Sequence, residues 1–250
     1  MTDTQQIMVT IEQGIMTILL NRPEKKNALT SSMYQIINKA LLQAKTDANI
    51  RVVLFAGAGD SFTAGNDIAD FLNFDSNLQE TEVVKLLRLL SVFEKPLVAA
   101  VQGNSVGIGT TLLLHCDLIV AAKDTIFALP FVPLGLCPEA ASSLLLPNLA
   151  GYHQAAELLL LGEAFNVEKA KSIGLVNRVV ETKEVRLQAL ALCQKLASLP
   201  VKALLHTKQL LKSPVNNIEQ RITQELVIFE KLLDSKEAKA IFQAFLGKKL

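Results

Sequence analysis

Residues 96–116 form a run of 21 without a formal charge, the length that spans a bilayer. Any fold for this chain must find a dry place for that run. Membrane insertion is one answer, but the content argues against it. Gln102, Asn104, Ser105, Thr110, Thr111 and His115 interrupt the run, together with Gly103, Gly107 and Gly109. The apolar residues fall into two short blocks, the pattern of a buried strand followed by a helix. The poverty of charge continues beyond it, since only Asp117, Lys123, Asp124 and Glu139, 4 of the 54 residues in 96–149, are charged. With 50% of 250 residues hydrophobic and 20% charged, a disordered chain is excluded and a sizeable core is expected.

Other bulk properties narrow the class further. The net charge of +1 supplies no electrostatic pull toward nucleic acid or an anionic membrane. Cys116, Cys137 and Cys193 are odd in number, far apart and not arranged as CxxC, which reads as a reduced intracellular protein. The first residues, MTDTQQIMVTIEQG, carry an early acid and neither the basic nor the apolar region of a secretory signal. The last three, Lys248, Lys249 and Leu250, lack the SKL peroxisomal address. A cytoplasmic protein with no membrane and no nucleic-acid partner is expected.

Along the chain, β-rich runs at 7–11 and 15–20 flank a Gln-Gly turn and predict a hairpin. Met33, Ile36, Ile37, Ala40, Leu41 and Ala44 recur at helical spacing, with Thr30 or Ser31 available as N-cap. A strand at 50–55, a helix near 80–94, a strand at 97–101, a helix near 108–115 and a strand at 118–121 complete an α/β alternation. The final third differs in composition, with 19 charged residues among the 70 in 181–250. Its apolar stripes (Leu192, Leu196, Leu199; Val201, Leu204, Leu205, Leu211; Ile218, Ile222, Leu226, Phe229, Leu233; Ala238, Ile241, Phe242, Phe245) are helical, and Pro200 and Pro214 punctuate them. The reading is an α/β core over 1–180 and a helical region over 181–250, with no internal repeat.

Metal chemistry is set aside because His115, His153 and His206 have no partner at ligand spacing. Gly103, Gly107 and Gly109 give GxxxGxG, which is not the dinucleotide fingerprint. Three features remain. Gly103-Asn104-Ser105-Val106-Gly107 matches the GxSxG elbow of a serine hydrolase, although no HGG motif accompanies it and the same residues make a tight strand-to-helix turn. Residues 61–68 are small and polar enough to turn backbone N–H groups toward a ligand, as an oxyanion hole requires, or to form an Asx-type turn capped by Asp67. Glu139 is the only charged residue among the 32 in 125–156. A carboxylate alone in apolar surroundings has its pKa pushed up toward the range of a general base. Pro138-Glu139 also fits the first turn of a helix, and the two readings are compatible.

In order and spacing, several stretches resemble the crotonase (enoyl-CoA hydratase/isomerase) superfamily. They are Asn21-Arg22-Pro23 with 25–29, then 62–68, 95–101 with Gly103, Cys116-Asp117, Pro130-Phe131 with Leu134-Gly135, and 170–176. The resemblance implies a spiral of ββα units with a C-terminal helical trimerisation region, and hence a homotrimer or a hexamer built as a dimer of trimers. It implies that the backbone N–H groups of Asn66 and Ile108 hold the thioester oxygen of an acyl-CoA. Ala64, Gly65, Asp67, Ile68, Gly107, Phe131 and Leu134 would line the substrate path, with Lys25, Lys26 and Ala28 near the nucleotide end. Coenzyme A is part of the substrate, and no separate cofactor is implied.

The departures from the family pattern point to a reaction. Where typical hydratases carry two glutamates, this chain has Thr111 and Phe131. The remaining pattern resembles the peroxisomal-type Δ3,Δ2-enoyl-CoA isomerase branch, whose single catalytic glutamate matches Glu139. The expectation is therefore an isomerase with Glu139 as the proton shuttle. An enoyl-CoA hydratase is the alternative within the family; a serine hydrolase using Ser105 and a non-catalytic acyl-CoA binder are the alternatives outside it.

Overall fold

The structure, a computed structural model, describes residues 5–67, 80–213 and 236. Strands β1 (Ile7–Glu12) and β2 (Ile15–Leu20) form the expected hairpin, with Gln13 and Gly14 at positive φ in its turn. Helix α1 (Ser31–Thr46) starts at Thr30, whose hydroxyl accepts from the Met33 N–H, so Thr30 and not Ser31 is the cap. Next come β3 (Val52–Gly57), α2 (Glu82–Ser91), β4 (Leu97–Val101), β5 (Asn104–Val106) and α3 (Ile108–Leu113). Then follow β6 (Leu118–Ala122), β7 (Ile126–Ala128), α4 (Ser142–Ala150), α5 (Tyr152–Ala156), β8 (Phe165–Asn166) and α6 (Val167–Ser172). Strand β9 (Arg178–Val180) and helices α7 (Val185–Ser198) and α8 (Val201–Lys212) end the described elements.

Six strands make the larger sheet in the order β1-β2-β3-β4-β6-β9, parallel throughout except for the β1–β2 hairpin. Its inner strands are continuously apolar because both faces are covered. The two-residue period of a strand divides them cleanly. Val53, Phe55, Leu97, Ala99, Val101, Ile119 and Ala121 face the main core with α1. Val52, Leu54, Ala56, Val98, Ala100, Val120 and Ala122 face the other side, where Val185, Ala189, Leu192 and Cys193 of α7 pack on them.

That packing crosses the boundary near 180 read from charge composition. The charge density rises near 181, yet the first helix beyond it closes one face of the sheet and belongs to the core. The sequence signal was diluted because only one stripe of α7 is buried while its outer face is polar. Helix α8 is tied down as well: Lys208 Nζ donates to the Lys95 carbonyl and to Asp117 Oδ2, each at 2.7 Å. The apolar stripes assigned to 218–233 and 238–245 lie outside the described residues.

A smaller sheet, β5-β7-β8, stands beside the first. Thr63 forms a parallel bridge to Ser105 of β5, and β5 pairs in parallel with β7. The chain thus runs from β3 to the Thr63 bridge, from β4 to β5 and from β6 to β7, each time passing from the large sheet to the small one. This is the spiral of ββα units. Each passage needs a sharp exit from the large sheet. Gly103, at φ +57, makes the one after β4, where a Cβ would lie 1.8 Å from the Asp60 carbonyl oxygen.

Candidate active site

Two backbone segments meet where β5 gives way to α3. Gly107 joins them at φ 56 and ψ −119, a conformation that glycine alone adopts without strain. Gly65 lies against it, since a Cβ there would be 2.8 Å from the Val106 carbonyl oxygen. One residue past each glycine stand Asn66 and Ile108. Among the described residues, neither the Asn66 nor the Ile108 backbone N–H has a protein acceptor. Ile108 opens a helix, where the first N–H groups have no intrahelical partner. The flanking peptides are pinned, because Leu29 N–H donates to the Gly65 carbonyl and Asp67 N–H to the Leu29 carbonyl, both at 2.8 Å. Two unsatisfied donors on a fixed backbone can hold an oxyanion.

The strand-to-helix turn also decides the fate of Ser105. It lies inside β5, fully buried, in register with Phe127, and its Oγ has no hydrogen-bond partner among the described residues. A nucleophile elbow exposes its serine at a turn; this serine is mid-strand, with Gly109 close above it. The hydrolase reading of 103–107 is thereby overturned, and the glycines serve close backbone approach.

Helix α3 carries Thr111 one turn beyond Ile108, and the Thr111 hydroxyl donates to Glu139 Oε1. The other carboxylate oxygen, Oε2, is buried and has no hydrogen-bond partner among the described residues. Burial pushes the Glu139 carboxyl up to about 7, against the smaller opposing effect of the Thr111 hydrogen bond. Glu139 does not open a helix, as Pro138-Glu139 had allowed. Helix α4 begins at Ser142 after two left-handed residues, Ala140 at φ 54 and Ala141 at φ 55. The Glu139 carbonyl accepts from Ser142 N–H at 2.9 Å and from Ser142 Oγ at 2.6 Å. The carboxylate therefore sits on an irregular segment, free of the helix terminus that would have offered an ordinary explanation for it.

The segment with Lys25, Lys26 and Ala28 runs beside the 64–67 segment. Lys25 ends a short 3-10 turn and Lys26 follows at φ 48, both exposed. Ala64 N–H donates to the Lys26 carbonyl at 2.8 Å, and Leu29 bridges Asn66 in parallel. Arg22 Nη1 reaches the Ala28 carbonyl at 3.1 Å and Asp67 Oδ2 at 2.6 Å, so Asp67 is engaged in an ion pair. The structure thus brings together Lys25, Lys26, Ala28, Ala64, Gly65, Asn66 and Asp67. Ile68 lies outside the described residues. Phe131 is buried at the start of the 131–141 loop that leads to Glu139, whereas Leu134 on that loop is 60% exposed.

Three residues that order this site had no role in the sequence reading. Asn27, fully buried, donates to the carbonyls of Ala58 and Ser61 at 2.8 and 2.7 Å and accepts from Arg22 N–H at 2.8 Å. Tyr34 on α1 donates its hydroxyl to Asn66 Oδ1. His115, set aside as a metal ligand, hydrogen-bonds the Ala140 carbonyl at 2.8 Å. The signal available for Asn27 was its place in the Asn21-Arg22-Pro23 stretch; the other two were hidden on helix patterns. Among the described residues no group of three or more His, Cys, Asp or Glu could hold a metal ion. No helix among them is long and apolar enough to cross a membrane.

Comparison with known proteins adds the family. The model of the enoyl-CoA hydratase/isomerase family matches residues 10–250. The chain belongs to that family. It is 37% identical over 216 residues to enoyl-CoA delta isomerase 2 of Rattus norvegicus, covering 84% of this chain and 55% of the relative. The chain thus spans little more than half of that isomerase's length. It is 32% identical over 247 residues to 2,3-dehydroadipyl-CoA hydratase of Escherichia coli K12, covering 98% of this chain and 96% of the relative. A solved structure of an enoyl-CoA hydratase/carnithine racemase-type protein from Magnetospirillum magneticum AMB-1 superposes with a TM-score of 0.95. The two are 39% identical, and the match covers 99% of this chain and 98% of that one. As an enoyl-CoA hydratase/isomerase family member, the protein has the crotonase fold.

Proposed function

We propose that the protein is a Δ3,Δ2-enoyl-CoA isomerase acting on unsaturated fatty acyl-CoA thioesters. The observation that carries this reading is Glu139, a buried carboxylate with one oxygen held by Thr111 and the other without a hydrogen-bond partner among the described residues. In the reaction, the thioester oxygen is held by the Asn66 and Ile108 N–H groups. Glu139 Oε2 takes a proton from C2, and the C–H electron pair moves into a dienolate whose charge rests on that oxygen. The protonated Glu139 then returns the proton at C4, and the double bond moves from C3–C4 to C2–C3. A carboxyl near pH 7 suits both halves, being basic enough to accept the proton and acidic enough to give it back.

Water addition needs a second carboxylate to position and activate the water. At the two positions where the family resemblance expects hydratase glutamates, the chain has Thr111, a hydroxyl already committed to Glu139, and Phe131, a buried ring. The hydratase remains the second reading because the Escherichia coli hydratase aligns along almost the full chain. We further propose, on the same resemblance, a cytoplasmic homotrimer or dimer of trimers with no cofactor beyond the coenzyme A of its substrate.

The test is direct assay of the purified protein. A 3-enoyl-CoA should be converted to the trans-2-enoyl-CoA, and Glu139→Gln should lower kcat by at least about 10²-fold. Full activity in that variant rejects the mechanism. Hydration of crotonyl-CoA at a rate matching or exceeding the isomerisation favours the second reading.

A further inference from the structure

We propose that His115 is a positioning residue for Glu139: its bond to the Ala140 carbonyl holds the left-handed turn that presents the carboxylate to Thr111 and to the substrate. The inference rests on the reading of Glu139 as the catalytic base.

The geometry starts with an unusual backbone. Glu139 is followed by Ala140 and Ala141, both in the left-handed region at φ 54 and 55. An L-residue with a Cβ avoids that region, and two in succession persist only where the surroundings over-determine them. Neither residue is glycine, so the sequence itself does not favour the turn. Two sets of bonds hold it. Ser142 closes on the Glu139 carbonyl through its N–H and hydroxyl. His115 Nε2 then takes the next carbonyl, that of Ala140.

His115 is buried and lies in the turn that leaves α3, two residues past Leu113, where its N–H donates to the Leu112 carbonyl at 3.0 Å. One short element thereby makes three connections. Ile108 offers the oxyanion N–H, Thr111 holds the Glu139 carboxylate and His115 holds the peptide just after it. Base and oxyanion donor are thus tied to one short stretch of chain, 108–115. Without His115, the turn would keep Ser142 but lose the bond that fixes its orientation toward α3.

The charge state of the ring follows from its setting. A carbonyl oxygen can only accept, so Nε2 carries the proton in this bond. Burial holds the His115 pKa below its ordinary value, and the ammonium groups of Lys208 and Lys212 on α8 push the same way, against the opposing effect of the Ala140 hydrogen bond. Lys212 Nζ also donates to the His115 carbonyl at 3.4 Å. Thr111 is the one side chain that hydrogen-bonds the Glu139 carboxylate among the described residues. The ring therefore acts as a neutral donor, and the proton shuttled in the reaction stays with Glu139.

The variants His115→Leu and His115→Gln separate positioning from bulk stability. Gln keeps an amide donor at the reach of Nε2, while Leu keeps volume alone. His115→Leu should lower kcat by about 10²-fold, the effect of misplacing a reacting group by about 1 Å, with KM almost unchanged. His115→Gln should restore most of the rate. The Glu139 titration, followed by carbon-13 NMR of labelled glutamate, should fall from near 7 toward the ordinary value in the Leu variant and return in the Gln variant. Unchanged kcat and an unchanged Glu139 midpoint in folded His115→Leu overturn the proposal, even if its Tm falls.

If His115→Leu does not fold, nitrogen-15 shifts of His115 in the wild-type protein decide the matter. A ring protonated at Nε2 at pH 6 to 8 supports the proposal, and the neutral Nδ1–H tautomer, which cannot donate to the Ala140 carbonyl, overturns it. The titration does not depend on which reaction is catalysed. A wild-type protein inert toward 3-enoyl-CoA, with the midpoint responding to His115 as stated, rejects the isomerase reading and supports the positioning role.

Discussion

Burial in this fold holds the Glu139 carboxyl well above its ordinary value. A carboxyl raised from 4.5 to about 7 stabilises the folded state while protonated, and that contribution is lost as pH rises through the folded value. The difference amounts to about 3 kcal/mol. Glu139→Gln cannot ionise and should escape that loss. Urea titration is expected to show the variant gaining on the wild type by up to about 3 kcal/mol between pH 4.5 and 8. A constant difference across that range would show that the carboxyl titrates normally. The wild-type kcat/KM should correspondingly fall as pH drops below about 7. This residue was legible as one charge in an apolar stretch, because desolvation depends on what surrounds a group and the local sequence reported it. Thr111 was legible only as an absent glutamate; its hydroxyl bond to Glu139 required a contact across 28 residues.

At the scale of elements, the site is built from loops that side chains tie together. Asn27 is the main knot, joining the Arg22–Asn27 turn to the Ala58 and Ser61 carbonyls. Asn27→Ala leaves one buried and one half-buried acceptor without that donor and is expected to cost about 2 to 4 kcal/mol, read by thermal or urea unfolding. KM for acyl-CoA should rise as well, since Lys25 and Lys26 lie on the loop it holds. A loss below about 0.5 kcal/mol would show that water replaces the amide. Strands β5, β7, β8 and β9, of 3, 3, 2 and 3 residues, were beyond sequence patterning, because a two-residue period cannot establish itself over so short a run. The long, strongly periodic α1 and the unbroken apolar β3 and β4 were read within a few residues.

Over the whole molecule, the decisive packing is α7 on the sheet. A chain ending at residue 180 would expose Val52, Leu54, Val98, Ala100, Val120 and Ala122 along one continuous face. It is expected to be recovered insoluble or to bind a hydrophobic dye, whereas a soluble, cooperatively unfolding 1–180 fragment would show that the helical region is dispensable. The spiral repeat left no repeat in the sequence. Each passage shares only a strand in the large sheet and a few residues in the small one, and these tolerate different side chains.

The amino-acid sequence by itself determined the apolar inner strands, the helical character of the final third and the isolation of Glu139, because burial and periodicity act on neighbouring residues. It also carried enough family resemblance to suggest Asn66 and Ile108 as an oxyanion pair and to mark Thr111 and Phe131 where hydratase carboxylates are expected. Tertiary structure alone decided that Ser105 is a buried strand residue, that α7 packs on the sheet, and that Tyr34, Asn27 and His115 hydrogen-bond Asn66, the Ala58 and Ser61 carbonyls and the Ala140 carbonyl. Those decisions rest on hydrogen bonds and close approaches between segments far apart in the chain, which no local pattern encodes.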